Sequence, residues 1–459
     1  MLKLQFKTFV FGTALLCSVS LSTQGQVATN LAGNYRSVQF SVPSFIPIWR
    51  NPEGVVVNVG SCDYFETSAG QITVATNNSF TFTGEEVVTG NLVYSGQGLL
   101  TAQSGTNTLI TFQINSGLDV MVSGGANHEG FADLELVLRN PASALPGEFL
   151  NTSWNLFMFE TPARLVPQMY TNGVVYELKG RDGFSVTRGS MLINVNGIAS
   201  GSLGGPFTAS ISYAGDGQVN LAISEGGAPF VLPLYMNAAK DFMVGSMRML
   251  SSEDNFQQLI LALRSPGSAS LADLQGMWRV ISFKTPRAIS LVKDPQGDVH
   301  DLNGKDDFEA SSDCIIAGHD GFFISNTAER ARGTFTVDPS GLVQVAVTNT
   351  DSVVRTYTFG LNASKNVLAA VWSDSEQDEL VLLTKAPAQP GSTQDFALTS
   401  TVRTSLVVLE WASGVNRELQ SSTNLVDWEP VPGTAGRHSY SAPLASSGSR
   451  FYRVVDSAP

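Results

Sequence analysis

The side chains best suited to chemistry lie in one acidic stretch in the last third of the chain. Two histidine–aspartate pairs, His300-Asp301 and His319-Asp320, stand there among further acids: Asp306, Asp307, Glu309 and Asp313. Imidazole and carboxylate groups are the usual metal ligands and proton-transfer groups of enzymes. Their spacing fits neither H-x-H nor H-E-x-x-H, however, and we interpret the stretch as a solvated loop. The sequence therefore predicts no metal site.

Other catalytic motifs are equally sparse. The chain has no G-x-S-x-G motif and no phosphate-binding loop with a lysine, and the glycine-rich run 201–205 lacks the strand–helix context that binds phosphate. A second acidic run, Asp374 to Glu379, has the position of a hairpin tip, where charge ordinarily serves solubility. Carboxylates brought together from distant strands stay an open alternative. We predict that the protein is not an enzyme and needs no cofactor.

The amino-acid composition and net charge limit the kinds of binding partner and the fold class. The 459 residues carry a net charge of −13, which argues against nucleic-acid binding because that function needs a basic face. Hydrophobic residues make up 43% of the chain, so it has enough apolar surface to form cores. Glycine is frequent, and only 15% of the residues are charged. This profile indicates β-sheets joined by many tight turns.

The first residues have the pattern of an export signal. Lys3 and Lys7 precede a mostly apolar run, residues 9–21, that is too short to span a bilayer comfortably. Cleavage after Ser22 or Gly25 would leave no long apolar segment, so we expect a secreted or periplasmic protein without an integral membrane segment. Cys62 and Cys314 remain after cleavage, and two buried thiols are favoured over a disulfide.

One unit occurs three times along the chain. Tyr35, Trp154 and Trp278 are separated by 119 and 124 residues, and each begins the pattern aromatic, four residues, phenylalanine, two residues, proline. Further landmarks recur in the same order: a glycine (Gly98, Gly217, Gly341), an asparagine (Asn115, Asn237, Asn362) and a closing strand that ends before Pro141, Pro266 and Pro387. The period exceeds the roughly 20–50 residues of solenoid repeats and propeller blades. Each unit is therefore expected to be a small domain.

Within a unit, short β-rich runs alternate with turn residues. In the second unit we predict eight strands: Trp154–Phe159, Val174–Lys179, Phe184–Thr187, Phe207–Tyr213, Gln218–Ile223, Phe230–Tyr235, Phe242–Met249 and Gln258–Arg264. Eight antiparallel strands predict an up-and-down barrel, with a two-sheet sandwich as the alternative. The glycine landmark is expected in a hairpin turn with φ above zero. The asparagine landmark is expected in a turn where asparagine adopts the left-handed region.

The start of the third unit, Gly276-Met277-Trp278, resembles the G-x-W opening strand of lipocalins and of smaller bacterial lipocalin-like domains. The first unit has Gly33-Asn34-Tyr35, whereas the second has Thr152 in place of the glycine. The resemblance implies that an aromatic residue closes one end of each barrel and that a basic residue of the last strand lies across it. The six residues it assigns to the barrel ends are Tyr35, Trp154, Trp278, Arg139, Arg264 and Lys385.

A Pro/Gly/Ser linker after Pro387 precedes a last module. Its string from Glu418 to Trp428, closed by Arg450 to Val455, resembles the fibronectin-type-III-like modules of secreted bacterial proteins. The resemblance implies a small β-sandwich. We expect Trp411 and Trp428 to pack in its core rather than to form a binding surface.

The predicted organisation is all-β, with three tandem eight-stranded antiparallel barrels and a small C-terminal β-sandwich. The expected limits are a signal peptide at 1–25, barrels at 28–143, 144–270 and 271–388, and the sandwich at 393–459. Two functions stay open. The first is a secreted, non-enzymatic binding protein whose barrels hold small apolar ligands. The alternative is an extracellular structural or adhesion protein that uses the barrels as spacers and the last module to attach to a matrix or polysaccharide.

Overall fold

The computed structural model describes most of the chain after the predicted export segment. The described residues are 30–84, 87–127, 129–143, 146–223, 230–251, 255–318, 321–325, 332–338, 342–348, 354–387, 398–403, 406–411, 417–424, 426–443 and 451–456. The predicted signal peptide at 1–25 therefore lies outside the described residues. Strands dominate, as predicted, and no described helix is long and apolar enough to cross a membrane.

The chain divides into two compact units. The first consists of Met1–Ser265, Ile281–Ser312 and Gly360–Pro387. The second consists of Pro266–Val280, Asp313–Phe359 and Ala388–Pro459. The limits predicted for the individual domains stay a prediction.

The first repeat forms a closed barrel and a small hairpin. Its strands are β1 (Gly33–Pro43), β2 (Ile48–Arg50), β3 (Val56–Val59), β4 (Glu66–Val74), β5 (Ser79–Thr83), β6 (Val87–Gly96), β7 (Leu99–Ser104), β8 (Asn107–Ile114), β9 (Val120–Ala126) and β10 (Phe131–Arg139). Strands β1 and β4–β10 close the barrel in sequence order, and β2 pairs only with β3. All pairings are antiparallel, so this is an up-and-down barrel rather than a sandwich.

The second repeat follows the same plan after a short 3₁₀ helix at Pro146–Phe149. Its strands are β11 (Thr152–Thr161), β12 (Val166–Met169), β13 (Val175–Lys179), β14 (Ser185–Ile193), β15 (Ile198–Ser202), β16 (Pro206–Gly215), β17 (Gln218–Ile223), β18 (Phe230–Met236), β19 (Phe242–Leu250) and β20 (Asn255–Arg264). Strands β11 and β14–β20 close the barrel, and β12 pairs with β13.

The third repeat begins with a single helical turn, α1 (Leu271–Leu274). Its strands are β21 (Gly276–Pro286), β22 (Ser290–Lys293), β23 (Val299–Asn303), β24 (Glu309–Ala317), β25 (Phe322–Ser325), β26 (Arg332–Val337), β27 (Leu342–Thr348), β28 (Val354–Leu361), β29 (Val367–Ser373) and β30 (Gln377–Lys385). Strands β21 and β24–β30 close the third barrel, and β22 pairs with β23. Three closed eight-stranded barrels confirm the predicted fold class.

The predicted number of barrel strands, eight, was right, but one strand of the second repeat was assigned to the barrel wrongly. The run Val174–Lys179 was expected in the barrel, whereas β13 belongs to the separate hairpin. The missing barrel strand is β15, whose sequence, Ile-Ala-Ser-Gly-Ser, has few of the residues typical of strands. Gly201 is required there, because a Cβ would lie 2.2 Å from the carbonyl oxygen of Ser190 on the next strand.

In the first compact unit, the three repeats share one hydrophobic core outside the barrels. Phe40, Phe159 and Phe283 are the phenylalanines of the repeated opening pattern, and their rings meet edge to face at centroid distances of 6.0, 6.0 and 5.5 Å. Phe65, Phe184 and Phe308 form a second triad with separations of 6.0 to 6.3 Å. Equivalent residues therefore meet around a pseudo-threefold axis, and one continuous apolar cluster joins the three repeats.

Backbone hydrogen bonds connect the three small hairpins in a circle. The amide of Ile46 donates to the carbonyl oxygen of Lys305, that of Leu165 to Cys62, and that of Ile289 to Arg181, at 2.8 to 2.9 Å. Each bond joins equivalent positions of two different repeats. The hairpins β2–β3, β12–β13 and β22–β23 thus cover the axis as a ring, which we call the cap ring.

The glycine landmark occupies the predicted turn. Gly98 and Gly217 have φ of +76° and +79°, and each follows another residue with positive φ, as two-residue hairpin turns require. Gly341 lies outside the described residues. The asparagine prediction was wrong, because the left-handed residues of those turns are Leu118, Lys240 and Lys365. The asparagines instead use their side chains: Oδ1 of Asn115 accepts from the amides of Asp119 and Val120.

The C-terminal module contains two three-stranded sheets. One has the order β31-β32-β35 (Leu398–Arg403, Leu406–Trp411, Ser439–Pro443), and the other has the order β34-β33-β36 (Glu429–Pro430, Arg417–Ser422, Phe451–Asp456). Leu409 and Trp411 of the first sheet pack with Leu419 of the second. The fibronectin-type-III-like identity of this module stays a prediction.

Candidate functional site

The three opening aromatics are fully buried, and each donates a hydrogen bond near the start of its strand. The hydroxyl of Tyr35 donates to the carbonyl oxygen of Leu31 at 2.6 Å, and Nε1 of Trp278 donates to that of Leu274 at 2.7 Å. In the second repeat, Trp154 donates instead to Oγ1 of Thr152 at 2.9 Å. Thr152, which replaces the glycine of the motif, therefore supplies an acceptor for the indole.

In the first two repeats, the basic residue of the last strand lies opposite the opening aromatic. Tyr35 is the cross-strand partner of Arg139, and Trp154 that of Arg264. Arg139 also explains the motif glycine, since a Cβ on Gly33, whose φ is +154°, would lie 3.0 Å from Nε of Arg139. Lys385 ends β30. The barrel-end role of the six residues stays a prediction.

Side chains fill the aromatic ends of the first two barrels. In barrel 1, Tyr35 packs with residues from strands around the barrel: Ile72, Val74, Phe80, Leu92, Leu100, Phe112, Ile114, Met121 and Val137. In barrel 2, Trp154 packs with a similar set: Met191, Ile193, Ala209, Val219, Leu221, Leu234, Met236, Met243 and Ile260. Apolar side chains from strands around each barrel therefore meet at these ends.

The opposite half of barrel 1 is polar. The side chains that share the inner face with Tyr35 and Val137 form what we call the acidic chamber: Ser37, Gln39, Ser41, Ser68, Asp133 and Glu135. Oγ of Ser37 donates to Glu135 at 2.7 Å, and Oγ of Ser68 donates to Gln39 at 3.3 Å. Ser68 is exposed, and Glu135 keeps part of its surface accessible.

Burial gives the chamber unusual acid–base properties. It raises the pKa of Glu135 from 4.5 to about 7, a shift that Ser37 opposes and the neighbouring Asp133 reinforces. Burial also raises the pKa of Asp133, against hydrogen bonds from Ser41, Asn127 and Gln39. Glu135 thus adds negative charge to the barrel interior as the pH rises through about 7.

A stacked aromatic pair stands next to the chamber. The rings of Tyr64 and Phe131 are 4.4 Å apart and nearly parallel, at 9°. Phe131 precedes Asp133 on the inner face of β10, and Asn127, at the start of the same hairpin, donates to Asp133 at 2.7 Å. Carboxylates combined with aromatic faces suit a positively charged group, since both attract cations.

The other repeats do not reproduce this arrangement. At the positions of Ser37 and Glu135, the second repeat has Leu156 and Ile260, and both belong to the apolar interior of barrel 2. The third repeat has Val280 and Val381 there. The second and third barrels close without these polar residues, so the barrel fold does not require the chamber. Sequence reasoning overlooked it because Glu135 lies within an otherwise apolar strand, although comparing the three closing strands would have singled it out.

Barrel 2 has an apolar groove instead. A cavity of about 360 Å³ lies at the β14–β15 hairpin and is lined mainly by Phe149, Leu150, Ile193, Val195, Ile198, Ile211 and Tyr213. Its volume falls in the range of small-molecule sites. Val195 and Ile198 are exposed.

The acidic stretch of the third repeat is mostly paired with its surroundings. His300 contacts Asp294 at 3.1 Å, and Asp301 lies 3.1 Å from both Arg50 and Lys305. Lys305 also contacts Asp306, and Glu309 pairs with Lys284. Asp307 lies in the loop before β24, and Asp313 accepts from Oγ of Ser325 at 2.7 Å. His319 and Asp320 lie outside the described residues, and in the described part of the chain no cluster of three or more metal-ligating side chains occurs.

The second acidic run is only partly a solvated tip. Asp374 and Glu376 stand at the turn between β29 and β30, and Oδ1 of Asp374 accepts from the amide of Glu376. Asp378 and Glu379 are buried at 2% and 4% exposure, so solubility does not explain them. Glu379 instead accepts a hydrogen bond from Ser282.

The remaining candidates from the sequence are two tryptophans of the C-terminal module and two cysteines. Trp411 is buried in the C-terminal module, as expected, whereas Trp428 is only half-buried and lies under the guanidinium of Arg453, 4.3 Å from the ring centre. Cys62 and Cys314 do not form a disulfide; Cys314 is buried and Cys62 is half-buried. Burial raises the pKa of Cys62 to about 11, so its thiol is unreactive at neutral pH.

No protein-family model matches the sequence, and no curated protein matches it significantly. Among solved structures, transferrin binding protein B from Haemophilus parasuis Hp5 is similar at a TM-score of 0.25 and 8% identity, over 78% of this chain and 76% of that one. Transferrin binding protein B from serogroup B Neisseria meningitidis is similar at a TM-score of 0.24 and 8% identity, over 77% and 76%. Likeness at this level carries no function across, so the function of this chain is argued from its own residues.

Proposed function

We propose that this chain is an extracellular, non-enzymatic binding protein, and that the acidic chamber of barrel 1 binds a small cationic ligand. The observation that carries the proposal is the position of Glu135, which lies on the inner face of a barrel, is partly exposed and has a second carboxylate beside it. The export-signal pattern supports the extracellular location.

The chemistry of the chamber favours an amine or quaternary ammonium group. Asp133 and Glu135 provide charge, Ser37 and Gln39 provide hydrogen-bonding groups, and the Tyr64–Phe131 pair provides aromatic surface. A cation that enters the barrel exchanges water for these groups and lowers the repulsion between the two carboxylates. Because Glu135 ionises near neutrality, binding should strengthen as the pH rises through about 7.

The test begins with native mass spectrometry of the protein from its own secreted fraction, which detects any bound small molecule. Titration calorimetry with choline, putrescine and spermidine at pH 6 and pH 8 then follows, comparing the wild type with Glu135→Gln. We expect binding at pH 8 that the substitution weakens about tenfold, a loss of about 1.4 kcal/mol. The exposed Glu129 supplies a control with the same change of charge, Glu129→Gln. Equal affinity in all three proteins, or no binding by the wild type, contradicts the proposal.

A second candidate keeps the small apolar ligand that the sequence suggested and places it at the β14–β15 hairpin of barrel 2. The groove at the β14–β15 hairpin supports it, because it is apolar and of suitable volume. A polar substitution at an exposed lining residue, Ile198→Ser, tests it by binding of a fluorescent apolar probe such as 1-anilinonaphthalene-8-sulfonate. Fluorescence that does not depend on Ile198 contradicts it.

A further inference from the structure

Trp49 is an exposed tryptophan held in a fixed position on the cap ring. It lies on β2, and half of its surface, 50%, is exposed. The neighbouring Phe45 is 48% exposed. Large aromatic side chains are normally covered in folded proteins, and those left exposed often belong to interaction sites.

The backbone beneath the Trp49 ring is shaped to receive it. A Cβ on Gly60 would lie 2.8 Å from Cη2 and 2.9 Å from Cζ3 of Trp49, and 2.8 Å from Cγ of Pro47. Gly60 has no positive φ that would require glycine, so the glycine serves contact with the ring. One side of the indole is thus fixed against Gly60 and Pro47, which leaves the remaining surface pre-organised for a ligand.

The three repeats show that the fold does not need this arrangement. The positions equivalent to Trp49 hold Gln168 and Val292, and those equivalent to Gly60 hold Lys179 and Asn303. All three hairpins form, and all three bond into the cap ring. The tryptophan and the glycine therefore occur together in one repeat for a reason other than folding.

The surroundings of Trp49 select the kind of partner. Its cross-strand neighbour is the exposed Asn58, whose Oδ1 accepts from the amide of Val59 at 2.9 Å and whose Nδ2 group is a donor beside the indole. An aromatic face next to a neutral polar group matches a sugar ring, which has an apolar C–H face and hydroxyl groups at its edge. The net charge of −13 disfavours acidic polymers.

We propose that the β2–β3 hairpin binds a neutral polysaccharide, with one sugar ring packed on Trp49 and hydroxyl groups bonded to Asn58. The site uses none of the residues of the acidic chamber, so either proposal can fail without the other. It gives the β2–β3 hairpin a role in attachment that the other two hairpins of the cap ring lack.

The test is affinity electrophoresis of the full chain in native gels that contain hydroxyethyl cellulose, barley β-glucan, arabinoxylan or galactomannan, with alginate as the acidic polymer. We expect at least one neutral polymer to slow the wild type, and Trp49→Ala to weaken that retardation at least tenfold. Gly60→Val should weaken it too, because the added side chain displaces the ring while tryptophan is kept. Val292→Ala, at the equivalent position of the third repeat, is the control and should migrate as the wild type does.

The melting temperature of each variant confirms that it is folded, and Trp49→Ala removes an exposed side chain that the fold does not need. Titration with cellohexaose or laminarihexaose should also change the tryptophan fluorescence of the wild type but not that of Trp49→Ala. Wild-type migration unchanged by all four neutral polymers overturns the proposal. Retardation by alginate alone, or equal retardation of wild type and Trp49→Ala, overturns it as well.

Discussion

The side-chain amide of Asn237 donates a hydrogen bond of 2.8 Å to the carboxylate of Asp119, which belongs to the preceding repeat. The amide of Ala239 donates to the same oxygen at 2.9 Å. The next junction repeats this geometry, with Asn362 and Ser364 donating to Asp241. The recurring asparagines therefore join one repeat to the next as well as shaping their own turns.

Asp119→Ala should lower the free energy of unfolding by about 2–3 kcal/mol, because it leaves the buried side-chain donors of Asn115 and Asn237, and the amide of Ala239, without their acceptor. Asp119→Asn should cost less, since its carbonyl oxygen can still accept from Asn237 and Ala239 across the junction, and only its NH₂ group, which then faces Asn115, lacks an acceptor. Urea unfolding followed by circular dichroism measures both. Equal midpoints for the two variants would show that the bonds across the junction contribute little.

Trp154→Ala and Trp278→Ala should each cost about 3–5 kcal/mol, because both side chains are fully buried and both indoles are hydrogen-bonded. Trp49→Ala is the matched control, and a change within about 0.5 kcal/mol is expected there because its side chain is half exposed. Thermal unfolding of the three variants provides the comparison. A melting temperature unchanged by Trp154→Ala would remove the basis for its role in the barrel end.

A glycine in a turn can be required by a positive φ or by close contact with a neighbour, and Gly215 and Gly217 distinguish the two. Both have positive φ, +95° and +79°, but only the Cβ of residue 217 would meet neighbours, with Pro141 of the preceding repeat 3.3 Å away. Gly215→Ala should therefore cost about 1–2 kcal/mol through backbone strain, and Gly217→Ala should cost more. Chemical denaturation decides the order, and an equal cost would mean that contact between the repeats is unimportant there.

Glu135 should make the protein less stable as the pH rises. Its pKa is about 7 in the folded protein against 4.5 in the unfolded chain, so the folded state holds the proton more tightly. The resulting stabilisation is complete below pH 4.5 and is lost as the pH rises to about 7. The loss is at most about 3 kcal/mol, and the partial exposure of Glu135 reduces it. Glu135→Gln should therefore flatten this part of the pH profile of urea unfolding, whereas Glu129→Gln should leave it unchanged.

The strands and barrels could be predicted because their signals are local. β-rich runs separated by turn residues, together with the triplication, identified eight of the ten strands of the second repeat and the closed architecture. Strand β13, Val175–Lys179, was assigned to the barrel because its valine and tyrosine are as typical of a barrel strand as of a separate hairpin. What places it outside the barrel is pairing with β12, a property of the folded molecule that its own residues do not express.

The shared core was not predicted, although the opening pattern contains its signal. Tyr35 and Phe40 are five residues apart and therefore lie on opposite faces of a strand, since side chains alternate. Both are fully buried, so β1 is covered on both faces. A strand of an isolated barrel would have one face exposed to solvent. The acidic chamber escaped prediction for a different reason, because its residues meet only when β1, β4 and β10 become neighbours.

The circular hydrogen bonding of the cap ring fixes the number of repeats. In a linear array, the first and last copies differ from the others because each has one free side. Here the bond from Ile46 to Lys305 returns from the first repeat to the third, so each copy has a neighbour on both sides. A fourth copy has no place to bind without opening the circle, just as a closed symmetric oligomer cannot add a subunit. Lengthening this chain by duplication would therefore have to begin a second circle.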